Sequence, residues 1–195
     1  MSIALSMAAF ALATSITPGP VNIVALGAGA RYGLRASLRH VTGATVGFAL
    51  LLLLIGLGLR ELLAQWPSLT RAIKWAGVAF LLYMAYKLAV DDGRVDAPGA
   101  ARSPSLMTGA AMQWLNPKAW LASVAGMGAY AASGENGIVW QFAAIYFVVC
   151  YGSIACWAWV GASLRQMLRE PARVRFVNRA MAVLLAASAL WLLIE

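Results

Sequence analysis

One lysine and two prolines set the first question. Lys118 follows Asn116 and Pro117 deep inside an apolar run from Leu106 to Ala131. A lysine at the centre of a bilayer costs at least about 2.5 kcal/mol. It lies a dozen residues from either end of the run, too far to snorkel to the interface. It must face a cavity or meet a partner, and a substrate carboxylate is the natural one. All seven acids (Glu61, Asp91, Asp92, Asp96, Glu135, Glu170 and Glu195) lie at run ends or in loops.

A second stretch of the same kind, "TSITPGPVN", interrupts the first apolar run at Pro18, Gly19 and Pro20. Proline inside a helix removes a hydrogen bond and clashes with the preceding turn, but it is tolerated in a first turn. Pro18 or Pro20 can therefore start a new half-helix. Asn116 followed by Pro117 reads as an N-cap and the first helical residue of another. Each half-helix then begins near the bilayer midplane with free N–H groups and a positive dipole end. Two such ends facing each other make a site for a carboxylate. Asn22, in the first turn, can reach across the gap, and Gly19 allows close approach. Thr14, Ser15, Thr17 and Gln113 can satisfy backbone groups freed by the breaks. The competing reading of either break alone is a simple proline kink.

These residues must be held by membrane helices. The chain of 195 residues is 62% hydrophobic and only 11% charged, against about a quarter charged in a soluble domain. Six runs reach the roughly 20 residues a spanning helix needs. They are Ile3 to Ala30, Leu38 to Leu59, Leu69 to Val90, Leu106 to Ala131, Ile138 to Leu164 and Phe176 to Ile194. Between them, 91–104 is a polar loop with Pro98, Gly99 and Pro104. The fold expected is an all-α polytopic membrane protein in one domain, 1–195. The first and fourth helices, both proline-broken, open repeats of three helices at about 1–90 and 105–195. Three helices per half forces inverted topology, and paired breaks in two inverted halves point to a transporter binding site.

Charge sets the orientation. Arg31, Arg35, Arg39, Lys87, Arg94, Arg102, Arg165, Arg169, Arg173, Arg175 and Arg179 follow the odd-numbered helices. Only Arg60, Arg71 and Lys74 follow the even ones. Eleven against three places the odd-numbered loops in the cytoplasm and both termini outside. The net charge of +8 thus reflects membrane lipid as a partner and argues against nucleic acid.

Other features read blandly. Cys150 and Cys156 share one apolar run and form no disulfide or metal spacing; they read as small helix-packing residues. His40, next to Arg39 in a basic loop, reads as a headgroup-level histidine. Gly43-x-x-x-Gly47, Gly56-x-Gly58 and Gly126-x-Gly128 read as close helix contacts. Trp66, Trp75 and Trp140 read as interface markers. Gly27 to Gly33 mimics a nucleotide-binding pattern, but no strand precedes it. Nothing charged precedes Arg31, unlike a signal peptide. No protease or hydrolase motif appears, so neither an enzyme nor a cofactor is expected.

The stretch "ITPGPVNIVALGAGARYGLRASLRHVTGATVG" resembles the opening of the LysE/RhtB amino-acid exporters. "IKWAGVAFLLYMAYKL" and "SLMTGAAMQWLNPKAWL" resemble their third and fourth helices, and the likeness covers nearly the whole chain. It implies three-plus-three helices, a bacterial inner membrane, export of amino acids or small derivatives, a homodimer and proton coupling. Pro18, Gly19, Pro20 and Asn22 match one motif; Asn116, Pro117 and Lys118 match the other. The chain departs at Phe48, where many members carry a polar or acidic residue after the glycine. That leaves Lys118, the substrate itself or uncoupled exchange to account for coupling. The function expected is export of a small amino acid by alternating access. The alternatives are a passive channel for a small anion or neutral solute, and a non-transporting membrane subunit.

Overall fold

The computed structural model describes residues 2–59, 61, 65–92, 104–132, 135–164 and 170–194. Among these the fold is all-helical. The helices are α1 (Ile3–Ile16), α2 (Pro20–Tyr32), α3 (Leu34–Leu54), α4 (Pro67–Ala89), α5 (Leu106–Trp114), α6 (Pro117–Tyr130), α7 (Asn136–Ser163) and α8 (Pro171–Ile194). Arg60, Arg94, Asp96, Pro98, Gly99, Arg102, Arg165, Arg169 and Glu195, used above for loops and orientation, lie outside the described residues.

Both expected breaks are present. α1 and α2 meet at 64° across residues 17–19. α5 and α6 are separated by Leu115 and Asn116. Among the described residues, four helical stretches are each long and apolar enough to cross a membrane: Leu34–Leu59, Arg71–Ala89, Asn136–Ser163 and Pro171–Trp191. The bent α1–α2 pair makes a fifth. Where a sixth span was expected, α5 and α6 have 9 and 14 residues, each too short to cross alone.

α7 is the central helix and packs on α1, α2 and α3. Its Phe142, Tyr146, Cys150, Ile154 and Ala158 are all buried. α3 packs on α5 by backbone contact. A Cβ at Gly43 or Gly47 would overlap Leu106 or Ala110, and one at Gly109 would strike the His40 carbonyl. α2 and α7 meet the same way: a Cβ at Gly29 would overlap the Ala158 carbonyl, and one at Gly161 the Leu26 carbonyl. Gly161→Val should therefore destabilise the fold by at least about 1–3 kcal/mol through overpacking, measured as a lowered Tm in detergent. α4 and α8 pack together as a second unit. Their Val78, Leu81, Ala85, Ala182, Leu185 and Ala189 join Ile23 of α2 in one cluster.

Three sequence expectations need correction. The loop after α2 is a single residue, Gly33, whose φ of 83° reverses the chain. Arg35, Arg39 and His40 therefore lie on α3, and His40 is fully buried on that helix rather than in a loop. Its Nε2 lies 3.4 Å from the Val21 carbonyl. Gly58 has φ 123° and breaks the helix, so it serves a bend and not a contact. Cys156 is exposed, unlike Cys150. The glycines Gly43, Gly47, Gly56 and Gly126 do sit at close contacts, and Trp66, Trp75 and Trp140 are exposed.

Candidate functional site

The break after α1 frees carbonyls that cannot turn to water in a bilayer, and side chains recover them. Thr17 Oγ1 donates toward the Ala13 and Thr14 carbonyls, at 3.1 and 3.3 Å. Asn22 Nδ2 donates to the Ser15 carbonyl at 2.8 Å and to the Thr17 carbonyl at 2.9 Å. Trp157 Nε1 of α7 donates to the Ile16 carbonyl at 2.9 Å. Lys118 Nζ donates to the Thr17 carbonyl at 2.8 Å and to Thr17 Oγ1 at 2.5 Å. Asn22 thus spans its own break, giving one amide hydrogen to Ser15 of α1 and the other to Thr17 in the break, rather than reaching toward the second half-helix. The lysine sits at the negative end of the α1 dipole, where a cation is favoured.

The second break is closed locally. The amides of Leu115 and Asn116 donate to the carbonyls of Ala111 and Gln113. Trp120 Nε1 takes the Trp114 carbonyl at 2.8 Å. Asn116 caps α6, with its Oδ1 accepting from the Lys118 amide at 3.2 Å, and Pro117 occupies the first helical position. The Ala119 amide goes to the Asn116 carbonyl. The first amides of α6 are thus spent inside the protein, rather than left free for a ligand. On α2, Gly19 is the N-cap and no side chain caps the first turn. The positive element that α6 offers is the Lys118 ammonium.

A cavity of about 30 Å³ lies between the two breaks, with space for one or two waters and not for an amino acid. Gly19, Asn22, Asn116 and Lys118 line it, with Thr14, Ser15 and Gln113. Pro20 and Pro117 are buried at the helix starts, while Pro18 is exposed in the break. The opposite wall is Phe48, Tyr146 and Cys150. The Phe48 and Tyr146 rings stack with centroids 4.4 Å apart. Thr14 Oγ1 donates to the Phe10 carbonyl at 2.8 Å, so the Tyr146 hydroxyl donates to Thr14, at 2.5 Å. Ser15 Oγ, beside Tyr146 and Cys150, is buried without a hydrogen bond of good geometry. The cavity therefore offers one cation, several hydroxyl and amide groups and an aromatic wall.

Sequence reasoning missed Tyr146 and Cys150 as wall residues. Their spacing of four, continued by Phe142 and Ile154, puts them on one helix face, but α7 is apolar all round and hides that face. Cys150 gives a direct probe. In a Cys156→Ser background, a small thiol reagent should label Cys150 during turnover, and substrate should slow the labelling. Mass spectrometry of the Cys150 peptide measures both.

Residues 12–195 match the family model of the LysE type translocator. The chain belongs to the LysE type translocator family. Both breaks of this translocator and every cavity residue fall inside the matched range. This translocator is 28% identical over 167 residues to a protein of Escherichia coli, and 27% identical over 166 residues to proteins of Shigella flexneri and Shigella sonnei. The matches cover 84% of this translocator and 85% of each relative. All three relatives are named cysteine/O-acetylserine efflux proteins. No solved structure gives a significant match. As a member of a translocator family with several helices long and apolar enough to cross a membrane, the chain is a multi-pass membrane transporter, not an enzyme.

Proposed function

We propose that this translocator exports small neutral amino acids, of the size of cysteine or O-acetylserine, by alternating access. One observation carries the reading: the Lys118 ammonium lies on the wall of a cavity between the two helix breaks. The substrate carboxylate accepts from that ammonium, two of whose three hydrogens are directed at Thr17 in the empty carrier. Gly19 leaves room beside it, since a Cβ there would meet only the Lys118 side chain at 3.6 Å. Asn116 holds the start of α6, and Asn22 and Pro20 hold α2. Thr14, Ser15 and Gln113 offer oxygens to the substrate ammonium.

Packing supports six spans arranged as two inverted halves, each broken pair crossing once. α3 packs on α5 as α7 packs on α1, which is the pairing that exchange of the halves would give. α4 packs on α8, and Phe48 on α3 stacks against Tyr146 on α7; these contacts map onto themselves. The charge bias then puts both termini outside a bacterial inner membrane. A homodimer would give the exposed apolar faces of α4 and α8, with Trp75, Tyr83, Phe176 and Val183, a protein partner beside lipid. With Phe48 at the wall, coupling runs through Lys118, the substrate or exchange.

The cavity, too small to pass an amino acid, favours a carrier over an open channel. In proteoliposomes, external unlabelled O-acetylserine should stimulate efflux of labelled internal O-acetylserine several-fold. Equal efflux with and without it would mean a channel.

A further inference from the structure

We infer that Thr17 is a positioning residue that competes with the substrate for Lys118, and so makes the grip between the two broken helices releasable. This rests on the reading of Lys118 as the carboxylate partner.

The geometry of Thr17 supplies the argument. Its hydroxyl has one hydrogen, aimed at the Ala13 and Thr14 carbonyls of its own chain. A hydroxyl so aimed presents its lone pairs elsewhere, and Lys118 Nζ lies on them at 2.5 Å. Its carbonyl, in the extended break (φ −62°, ψ 141°), accepts from the same ammonium at 2.8 Å. Thr17 thus supplies two acceptors to one cation from a segment that belongs to neither helix.

The grip crosses the cavity between α1 and α6, which otherwise touch only lightly. The other end of the same helix pair is tied differently. The Tyr130 hydroxyl of α6 donates to the Ser6 carbonyl at 3.0 Å and meets Ser6 Oγ at 2.9 Å. Those bonds involve no ionised group and lie beyond the cavity, so a substrate carboxylate does not disturb them. One end of the pair is therefore held by neutral bonds, and the cavity end by an ammonium that a carboxylate can claim.

An ammonium binds a carboxylate more strongly than it binds neutral oxygens, because charge attraction is added to the charge-assisted hydrogen bond. An arriving carboxylate takes Lys118 from Thr17, and α6 is then free to swing about its Tyr130 end. In the empty carrier, Thr17 keeps the ammonium paired and the breaks together. The Thr17 carbonyl is not orphaned when the grip opens, because Asn22 Nδ2 still donates to it.

The test is the KM and kcat of O-acetylserine efflux from proteoliposomes for wild type, Thr17→Val, Thr17→Ser and Lys118→Ala. Thr17→Val keeps the carbonyl and the branched shape but removes the hydroxyl acceptor. It should lower KM about two- to tenfold, the worth of one hydrogen bond no longer opposing the substrate. Thr17→Ser should keep the wild-type KM. An unchanged or raised KM in Thr17→Val, with Lys118→Ala inactive, overturns the competition and leaves the carboxylate site standing. A Thr17→Ser that behaves like Thr17→Val also overturns it, since the methyl would then be the cause. Wild-type kinetics in Lys118→Ala would overturn both.

Discussion

Lys118→Ala should lose transport of O-acetylserine by about 30-fold to several thousand-fold, the range expected when one partner of a buried, hydrogen-bonded charge pair is truncated. The protein should still insert and melt near the wild-type temperature. The second half of that expectation follows from the acceptors. Lys118 donates to the Thr17 carbonyl, but Asn22 donates to the same oxygen at 2.9 Å, so removing the lysine leaves no bare carbonyl. Thr17 Oγ1 keeps its own hydrogen on the Ala13 and Thr14 carbonyls. The substitution also removes a cation that is costly inside a bilayer. Efflux from proteoliposomes and a melting curve on the same preparation measure the two effects together. Lys118→Arg keeps the charge but carries a planar fork in place of a compact ammonium, and it should recover only part of the loss.

Asn22→Leu should do the opposite, lowering stability more than it alters the site's charge. Asn22 is buried, and both of its amide hydrogens are spent on the end of α1 and the break after it. Leucine leaves the Ser15 carbonyl without its 2.8 Å partner and the Thr17 carbonyl with Lys118 alone. A buried polar group stripped of its partner costs about 1–3 kcal/mol, and the Thr17 carbonyl loses one of its two donors besides. The loss should therefore be about 1–3 kcal/mol, seen as a clear fall in Tm in detergent or as failure to accumulate in the membrane. Asn22→Ser, too short to reach both oxygens, should fall between. The contrast separates the two asparagine motifs by role. Asn22 repairs the first break, whereas Asn116 caps α6 and turns Lys118 toward that break.

Much of this was legible in the residues. Pro20 and Pro117 start helices where proline chemistry says they should, and Asn116 caps the second as its type and place predict. Lys118 could be placed at a cavity because a lone lysine in the middle of an apolar run has few other options. Tertiary detail was not legible. No local signal told that Trp157, more than a hundred residues away, would hold the Ile16 carbonyl. Tyr146 and Cys150 lay hidden because α7 is surrounded by protein or lipid and has no polar face to give a period. His40 was misplaced because the charged neighbours Arg35 and Arg39 suggested a loop, while Gly33 alone makes the turn. The amides of α6 were expected to be open, but Asn116 uses its side chain and its carbonyl to close them.

The central claim is that Lys118 binds the carboxylate of a small amino acid. It is tested most directly by the affinity of purified protein for O-acetylserine and for O-acetylserinamide, which differs in having no carboxylate, in wild type and in Lys118→Ala. Wild type should bind the acid at least about tenfold more tightly than the amide, the difference of a charge-assisted hydrogen bond, and Lys118→Ala should bind the two alike. If Lys118→Ala kept the full preference for the acid, the carboxylate would be held elsewhere and the account would be wrong.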